Sequence, residues 1–520
     1  MTCSKIFSGD LPELIYEVIK YFKNDFSTLH SCILVNRLWC RLAIPLLWEN
    51  PFSIPTKNYK FIDVYLHDLN DELLNKYDIN FNLLLHSNTL FNYPSFLKYL
   101  NTRRFICSIT KWSKDIVFNI ELLSVSNFKS LIYMSLFKVF IENEVNLQTF
   151  EIWVGNYNPY LDDILELMLQ NPNFIHNVKN LSLYTHIFHH NNNKPYTSII
   201  NHISQIINLH QNLKKIVLSY KSFLLYKPLL LSKVSNCSNT LNIIRFYHID
   251  FKGMINFNEV FEQLNALESV HIVYCYSLDT HFIQQIINLT KPFKLKSLFI
   301  NEGSRIDESL QLLLQKSGSY IENFGFGFGF GHSYTLSLKK KLIELIIKYC
   351  KNIKFLDICE VDNQIIYPMF NLIENIKENL NYLSIKTSEA SQLCDSSSSI
   401  ILQNLGQFLS LKLDYLNLTL IVNISDFKIF LEKSQNIFIK KLLIKNLMRK
   451  DSYVILPYIK EYNNIMKGKG IRYLAFMDNS NNNLFYSKDE TKEFMLDDNI
   501  KVQKYDDLYI STFQFIRNLD

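Results

Sequence analysis

Three closely spaced histidines are the first residues whose types and spacing suggest chemistry. His186, His189 and His190 lie within "HIFHH", a spacing at which imidazole rings can share a metal ion. Their neighbours are asparagines, and no carboxylate or thiolate lies near enough in sequence to complete a ligand set. We therefore expect a surface insertion here and no metal site.

A run of alternating glycine and phenylalanine, "NFGFGFGFGHSY" (323–334), raises the question of a phosphate-binding loop. Such a loop needs irregularly spaced glycines at a strand-to-helix turn, where backbone N–H groups converge on an anion. Strict alternation is instead the period of a β-strand. The run therefore predicts a strand in which Gly325 and Gly327 leave a local dent in the sheet surface.

Other catalytic signatures are missing from the sequence. There is no HExxH, GxSxG, Walker-type lysine loop or paired CxxC, and the serines have no fixed base. We expect a non-catalytic protein with no catalytic residues, no cofactor and no metal.

Composition and charge narrow the class of partner. The 520-residue chain carries a net charge of only +5, with acidic and basic residues interspersed, which disfavours nucleic-acid binding. No apolar run resembles a signal peptide or a membrane span. Nine cysteines without CxxC pairs are typical of a reduced compartment. We expect a cytoplasmic or nuclear protein that binds no membrane.

The first fifty residues have the pattern of three short helices. "DLPELIYEVIKYF" places apolar residues at helical spacing, with Asp10 where an N-cap belongs. A second helix is predicted to start at Asp25 or Ser27. A third carries Trp39 and is predicted to break or kink at Pro45.

The same residues resemble an F-box. The match covers Leu11-Pro12-Glu13, the helix after it, "VNRLW" (35–39) and the closing "LLW" (46–48). The resemblance implies docking onto a Skp-type adaptor, and through it onto a cullin scaffold and a RING subunit. It places six residues against or next to that adaptor: Leu11, Pro12, Glu13, Ile15, Val35 and Trp39. The alternative is a helical cap whose apolar residues serve only its own core.

From about residue 145, a six-residue pattern recurs twelve times, from "LQTFEI" at 147 to "IRYLAF" at 471, with starts 26 to 35 residues apart. Apolar residues occupy its first, fourth and sixth positions, and the last three alternate as a half-buried strand must. Helical stripes lie between hexads at 161–171, 281–289, 338–350 and 427–434, whereas the serine-rich "CDSSSS" (394–399) is typical of a loop. Strand and helix in alternation predict a parallel sheet with helices on its other side.

This spacing resembles degenerate leucine-rich repeats, and the whole chain resembles the large fungal families of F-box/leucine-rich-repeat proteins. The predicted fold is α/β: a three-helix F-box (8–52), a helical connector (53–140) that includes helices at 58–77 and 90–100, and a curved solenoid of about twelve irregular repeats (141–515), with strands on the concave side and helices on the convex side.

The resemblance implies a substrate-recognition subunit of a Skp–cullin–F-box ubiquitin ligase, and the alternative is a ligase-independent scaffold with a vestigial F-box. An unidentified protein substrate would bind exposed side chains on the concave strands. The candidates are Trp153, Tyr184, Arg245, Tyr247, His271, Phe299, Gly325, Gly327, Phe355, Asp357, Tyr382, Tyr415 and Tyr473.

Overall fold

A computed structural model describes fifteen stretches of the chain and three isolated residues. The stretches are 11–23, 25–54, 59–66, 89–116, 122–155, 160–186, 194–210, 212–220, 237–300, 307–327, 336–387 and 394–447, followed by 455–466, 470–479 and 500–519, with single residues at 56, 481 and 483. Backbone contacts divide the chain into two compact units, residues 1–244 with 263–267, and residues 245–262 with 268–520.

The first unit begins with three helices, α1 (Pro12–Tyr21), α2 (Phe26–Ile33) and α3 (Arg37–Leu47). Asp25 and Asn36 cap α2 and α3, accepting hydrogen bonds from the amides of Thr28 and Trp39. The predicted start at Asp25 is confirmed. The predicted break at Pro45 is wrong, because α3 continues to Leu47. Asp10 lies outside the described residues, and Leu11 precedes α1 without a side-chain cap.

A buried carboxylate joins these helices to the first strand. Glu49 accepts bonds from the ammonium groups of Lys23 and Lys98, both at 2.5 Å. Its carbonyl oxygen also accepts from the amides of Lys98 and Tyr99. Because a buried charge is stable only when it is paired, this cluster fixes the helical module against the repeats.

Helices and strands alternate through the rest of the first unit. In chain order they are α4 (Phe61–Tyr65), β1 (Tyr99–Asn101), α5 (Thr102–Ile116), α6 (Leu122–Glu142), β2 (Thr149–Gly155), α7 (Leu161–Gln170), α8 (Asn173–His176), β3 (Asn180–His186), α9 (Lys194–Leu209) and β4 (Lys215–Tyr220). The strands pair in parallel in the order β1-β2-β3-β4.

The second unit repeats the same arrangement, beginning within β5 (Ile243–Tyr247). Its elements continue as α10 (Phe257–Gln263), β6 (Ser269–Cys275), α11 (Thr280–Ile287), β7 (Leu295–Ile300), α12 (Glu308–Ser317), β8 (Asn323–Gly327), α13 (Leu336–Tyr349), β9 (Phe355–Val361), α14 (Ile366–Ile376), β10 (Tyr382–Thr387), α15 (Cys394–Leu405), β11 (Lys412–Leu420), α16 (Ile424–Lys433), β12 (Phe438–Asn446), α17 (Leu456–Ile465) and β13 (Tyr473–Met477).

Three short elements end the chain: β14 (Lys501–Val502), α18 (Tyr505–Leu508) and α19 (Thr512–Arg517). From β6 onward each strand pairs in parallel with the next, and β14 extends the sheet beside β13. We call residues 500–519 the strap.

All twelve hexads form the predicted strands, and their spacing explains why. The first, fourth and sixth side chains of "LQTFEI", Leu147, Phe150 and Ile152, are fully buried. Their counterparts in "LNYLSI", Leu380, Leu383 and Ile385, are buried to the same extent. The four predicted helical stripes lie in α7, α11, α13 and α16. Neighbouring helices pack side by side within each unit.

Two local predictions are wrong. Residues 90–100 contain no α-helix but a 3-10 turn (Pro94–Phe96) and β1, so parallel pairing begins before the predicted repeats. The serine-rich "CDSSSS" (394–399), which reads as a loop, forms the start of α15. There, Ser398 is buried and its hydroxyl accepts from the amide of Ile421.

Candidate interaction surfaces

Helix α1 carries two apolar stripes, and only one of them enters the core of the helical module. Ile15 and Ile19 are fully buried with residues of α2 and α3. Leu14, Val18 and Tyr21, at positions i, i+4 and i+7, are 50%, 47% and 88% exposed. An amphipathic helix normally turns a polar face to water, so this second stripe is a candidate interaction surface.

The turn between α2 and α3 adds two further exposed apolar residues. Leu34 is 75% exposed and Val35 is 51% exposed. Both residues follow the C-terminal end of α2 and directly precede Asn36, which caps α3. Val35 is one of the candidate adaptor contacts, and its exposure suits that role.

The remaining candidate adaptor contacts differ in exposure. Leu11 and Pro12 are half-buried and Glu13 is exposed. Ile15 and Trp39 instead fill the core of the module, together with Leu29, Cys32, Ala43 and Leu46. Those two side chains therefore support the surface from below. The outward stripe at Leu14 and Val18 was missed, although "LPELIYEVIKY" holds apolar residues on two helical faces.

In the first unit, one aromatic pair lies on the strands. The rings of Trp153 and Tyr184 are 5.2 Å apart, and the Arg103 guanidinium lies 4.6 Å from the Trp153 ring. Tyr184 is buried and Trp153 is half-buried. The predicted exposure is therefore wrong for Tyr184, because neighbouring side chains cover its ring.

In the second unit, the strap covers the strand face that the sequence predicted to bind a partner. We call this surface the recognition face and define it by Tyr247, Phe299, Phe355, Tyr382 and Tyr415. Its residues form two apolar clusters with the strap. The chain's own C-terminal residues thus occupy the surface predicted for a substrate.

Aromatic and aliphatic contacts make up one part of this interface. The ring of Phe515 stacks on Phe355 at 4.0 Å and lies 5.3 Å from Tyr382. Phe513 meets Tyr247 edge to face at 4.7 Å. Ile516 joins the cluster of Phe299 and Phe355. Such contacts bury large apolar areas and give the strap a defined register on the sheet.

Toward β11, Tyr505 and Leu508 of the strap pack with Tyr415, Leu443 and Ala475. Tyr415 is only 1% exposed. Burial raises the pKa of both phenol groups above the ordinary value of 10.0. Tyr505 and Leu508 therefore anchor this end of the strap in an apolar cluster.

Hydrogen bonds to residues of the sheet fix the strap at several points. The amide of Ile510 donates to the Tyr415 hydroxyl at 3.2 Å, and the hydroxyl of Tyr505 donates to Asn417 at 2.7 Å. At the far end, Arg245 donates to the carbonyl oxygen of Arg517 at 3.2 Å.

Asp357 accepts several hydrogen bonds beneath the strap. The Thr512 hydroxyl donates to its carboxylate at 3.1 Å, and Tyr274 donates to the same hydroxyl at 3.0 Å. Burial raises the pKa of Asp357 from its ordinary value of 3.8, although hydrogen bonds from Ser384 and Thr512 act in the opposite direction. The strap thus supplies a partner for a carboxyl group that it also shields from water.

The predicted exposure is therefore wrong for most of the candidate substrate-binding residues in the second unit. Arg245, His271, Phe299, Phe355 and Tyr415 are buried. Tyr247, Tyr382, Tyr473 and Asp357 are half-buried. The prediction that Phe299, Phe355 and Tyr382 share one face is confirmed, since all three meet Ile516 or Phe515.

The described part of the glycine–phenylalanine run forms strand β8, as predicted. The predicted dent at Gly325 is occupied by a side chain of the neighbouring strand β7. A Cβ at Gly325 would lie 2.4 Å from Cδ1 of Phe299, so the Phe299 ring lies directly over this glycine. The Phe299 ring also packs against the ring of Phe355, with 5.9 Å between the two ring centroids. Gly327 is less constrained, with Cys359 as its nearest neighbour. Gly329 and Gly331 lie outside the described residues.

A buried polar row crosses β6 to β8. The ring of His271 hydrogen-bonds to the hydroxyl of Ser297 at 2.7 Å, and Asn323 donates to the same hydroxyl at 2.9 Å. Ser297 is fully buried. The three side chains satisfy one another inside the sheet surface, so this histidine–serine contact has a structural role.

Between strap and sheet an open cleft of about 450 Å³ remains. Lys386, Thr419 and Lys445 occupy one row across β10, β11 and β12 on its floor. Asp506 and Tyr509 of the strap line the opposite side. The cleft therefore combines two ammonium groups of the sheet with an acidic residue of the strap.

Among the described residues, no group of three or more His, Cys, Asp or Glu side chains is arranged to hold a metal ion. His189 and His190 lie outside that part of the chain. In the same described part, none of the helices is both long enough and apolar enough to cross a membrane.

Parallel strands that recur with a helix after each, and bury the same positions of each hexad, define a leucine-rich-repeat fold. No protein-family profile matches the chain, and no curated protein matches it. Among solved structures, the leucine-rich-repeat-containing protein LegL7 from Legionella pneumophila is similar in 68% of this chain and 98% of its own, at 10% sequence identity and a TM-score of 0.35.

Proposed function

We propose that this chain is the substrate-recognition subunit of a Skp–cullin–F-box type ubiquitin ligase. The N-terminal helices bind a Skp-type adaptor and through it the cullin and RING subunits, while the repeats hold a protein substrate. The chain is not itself an enzyme. Its contribution is proximity, because holding a substrate at the ligase raises the local concentration of its lysines.

The outward stripe of α1 carries this proposal. Leu14, Val18 and Tyr21 are exposed, although the same helix already buries Ile15 and Ile19 in the core of the module. A stripe that serves only the module's own core would be buried. Exposed apolar area on a small helical module that is already fixed to the repeats through Glu49 favours a docking role.

The first experiment measures adaptor binding by the full chain. We expect the wild type to co-purify with a co-expressed Skp-type adaptor. The double substitution Leu14→Asp with Val18→Asp should weaken this binding at least tenfold, because it places two charges in a desolvated apolar contact.

Glu17→Gln is the matched control, since Glu17 is exposed on the same helix and pairs with Lys20. Both variants should keep the wild-type melting temperature. Equal adaptor binding by the wild type and the double variant would contradict the docking surface.

A second experiment separates a ligase subunit from a scaffold. Proteins captured by the full chain should have longer half-lives when cullin activity is inhibited. Partners whose half-lives do not respond, despite normal adaptor binding, would establish the scaffold instead.

A further inference from the structure

We propose that the strap is an internal ligand of the recognition face, and that the partner of this face is a segment with the strap's own chemistry. That segment has an acidic residue over Lys386 and Lys445, a hydroxyl group over Asp357, and aromatic and aliphatic anchors over Phe355 and Phe299. The strap thereby defines the substrate class and the regulation of the site in the proposed function, on which this role rests.

The strap matches the recognition face group by group, as a bound segment would. Its hydroxyl at Thr512 meets the carboxyl of Asp357, and its ring at Phe515 stacks on Phe355. These contacts join residues at least 88 positions apart in sequence, from Tyr505–Asn417 to Arg245–Arg517. The strap therefore binds repeats that are distant from it in sequence.

Its fit is incomplete at the basic end. Here a cleft of about 450 Å³ separates Asp506 and Tyr509 of the strap from Lys386 and Lys445 of the sheet. An acidic side chain that enters this cleft lies beside the ammonium groups of Lys386 and Lys445, the second of which also donates to Asn481 at 3.0 Å.

The strap is also built to open without unfolding the repeats. Its helices α18 and α19 have only four and six residues, and it reaches the sheet edge through the two-residue strand β14. Short elements with few backbone hydrogen bonds open locally at lower free energy than core strands do. The observed association constant of a partner is then its intrinsic association constant multiplied by the open fraction, which is the fraction of molecules whose strap has left the recognition face.

The test uses the full chain and a labelled peptide that corresponds to residues 500–519. The double substitution Phe515→Ala with Ile516→Ala removes two strap anchors and raises the open fraction. We expect this variant to bind the peptide at least tenfold more tightly than the wild type does. Asp507→Ala with Asn518→Ala, at two exposed strap positions, is the matched control and should bind like the wild type.

Peptide variants test the chemistry without altering the protein. A peptide with Asp506→Lys should bind the strap-weakened chain at least fivefold more weakly than the parent peptide. This difference should disappear when Lys386→Ala and Lys445→Ala are added to the chain. Equal binding of the two peptides to the strap-weakened chain would overturn the acidic requirement.

Hydrogen exchange of the wild type gives an answer that needs no variant. The amide of Ile510, bonded to Tyr415, should exchange at least tenfold faster than the amides of β10 and β11. Exchange of all these amides at one common slow rate would overturn the opening of the strap, as would equal peptide binding by the wild type and a folded strap-weakened chain. Neither measurement depends on α1, so failure of adaptor binding and failure of strap opening are distinguishable.

Discussion

At the scale of single residues, Gly325 shows how one missing side chain shapes the recognition face. Without a Cβ at this position, the Phe299 ring crosses β8 and packs between Phe355 and Ile516. The glycine is therefore needed for close approach of a neighbouring ring, a use of glycine that is common inside strands.

We expect Gly325→Ala to lower the free energy of unfolding by about 1–3 kcal/mol, because the new methyl group would force the packed Phe299 ring to move. Chemical denaturation measures this change. Gly327→Ala is the control, since its Cβ would lie 3.4 Å from that of Cys359, and its effect should be within about 0.5 kcal/mol. Equal effects of the two substitutions would contradict the packing role of Gly325.

Asp357 predicts a pH dependence of stability. A carboxyl group whose pKa is raised by folding takes up protons on folding, so its contribution is largest below the ordinary pKa of 3.8 and is lost as the pH rises through the raised value. Asp357→Asn keeps an acceptor for Thr512 without the charge. We expect the melting temperature of this variant relative to wild type to increase between pH 4 and pH 8; a constant or falling difference would contradict the raised pKa.

At the scale of elements, helix α3 depends on a single side-chain cap. The side chain of Asn36 accepts a hydrogen bond from the amide of Trp39 at 2.9 Å. The Trp39 side chain lies in the core beneath the exposed stripe of α1. Loss of the cap would therefore loosen the start of α3 and, with it, the support of the proposed docking surface.

Asn36→Ala should destabilise α3 by about 1 kcal/mol, the usual cost of losing an N-cap. The measurement is hydrogen exchange in residues 37–47, which should become faster. Asn36→Ser is the control, because a serine hydroxyl can accept the same bond and should restore most of the protection. Identical exchange in the alanine variant and the wild type would show that the cap contributes little.

At the scale of the whole molecule, thiol groups report on the packing of both units. Seven of the nine cysteines are free thiols in the structure, and they range from exposed Cys107 to fully buried Cys275 and Cys350. Burial also raises the pKa of Cys275 and of Cys350 to about 12, which keeps both thiols protonated and unreactive at neutral pH.

We expect a thiol reagent at neutral pH to modify Cys107 in the native protein while Cys275 and Cys350 react only on unfolding. Mass spectrometry of digested samples measures this order. A denatured sample, in which all three sites should react, is the control. Rapid modification of Cys275 in the native protein would contradict the close packing around β6.

The strands and helices of the repeats were set by local sequence. Each hexad places apolar residues at its first, fourth and sixth positions, and a strand buries those positions whatever the distant chain does. For the same reason the strand assignment of Gly325 follows from simple alternation. The predictions that failed were at residues 90–100, which were predicted to be helical although Pro94 disfavours a helix, and at 394–399, where a serine run is typical of a loop.

Only the tertiary structure decided which surfaces are covered. The strap bonds Thr512 to Asp357 across 155 positions and Arg517 to Arg245 across 272. Likewise, burial separated Leu14 and Val18 from Ile15 on one helix. Periodicity defines the faces of an element, but which of those faces is covered depends on contacts between residues far apart in sequence, and a local pattern carries no record of them.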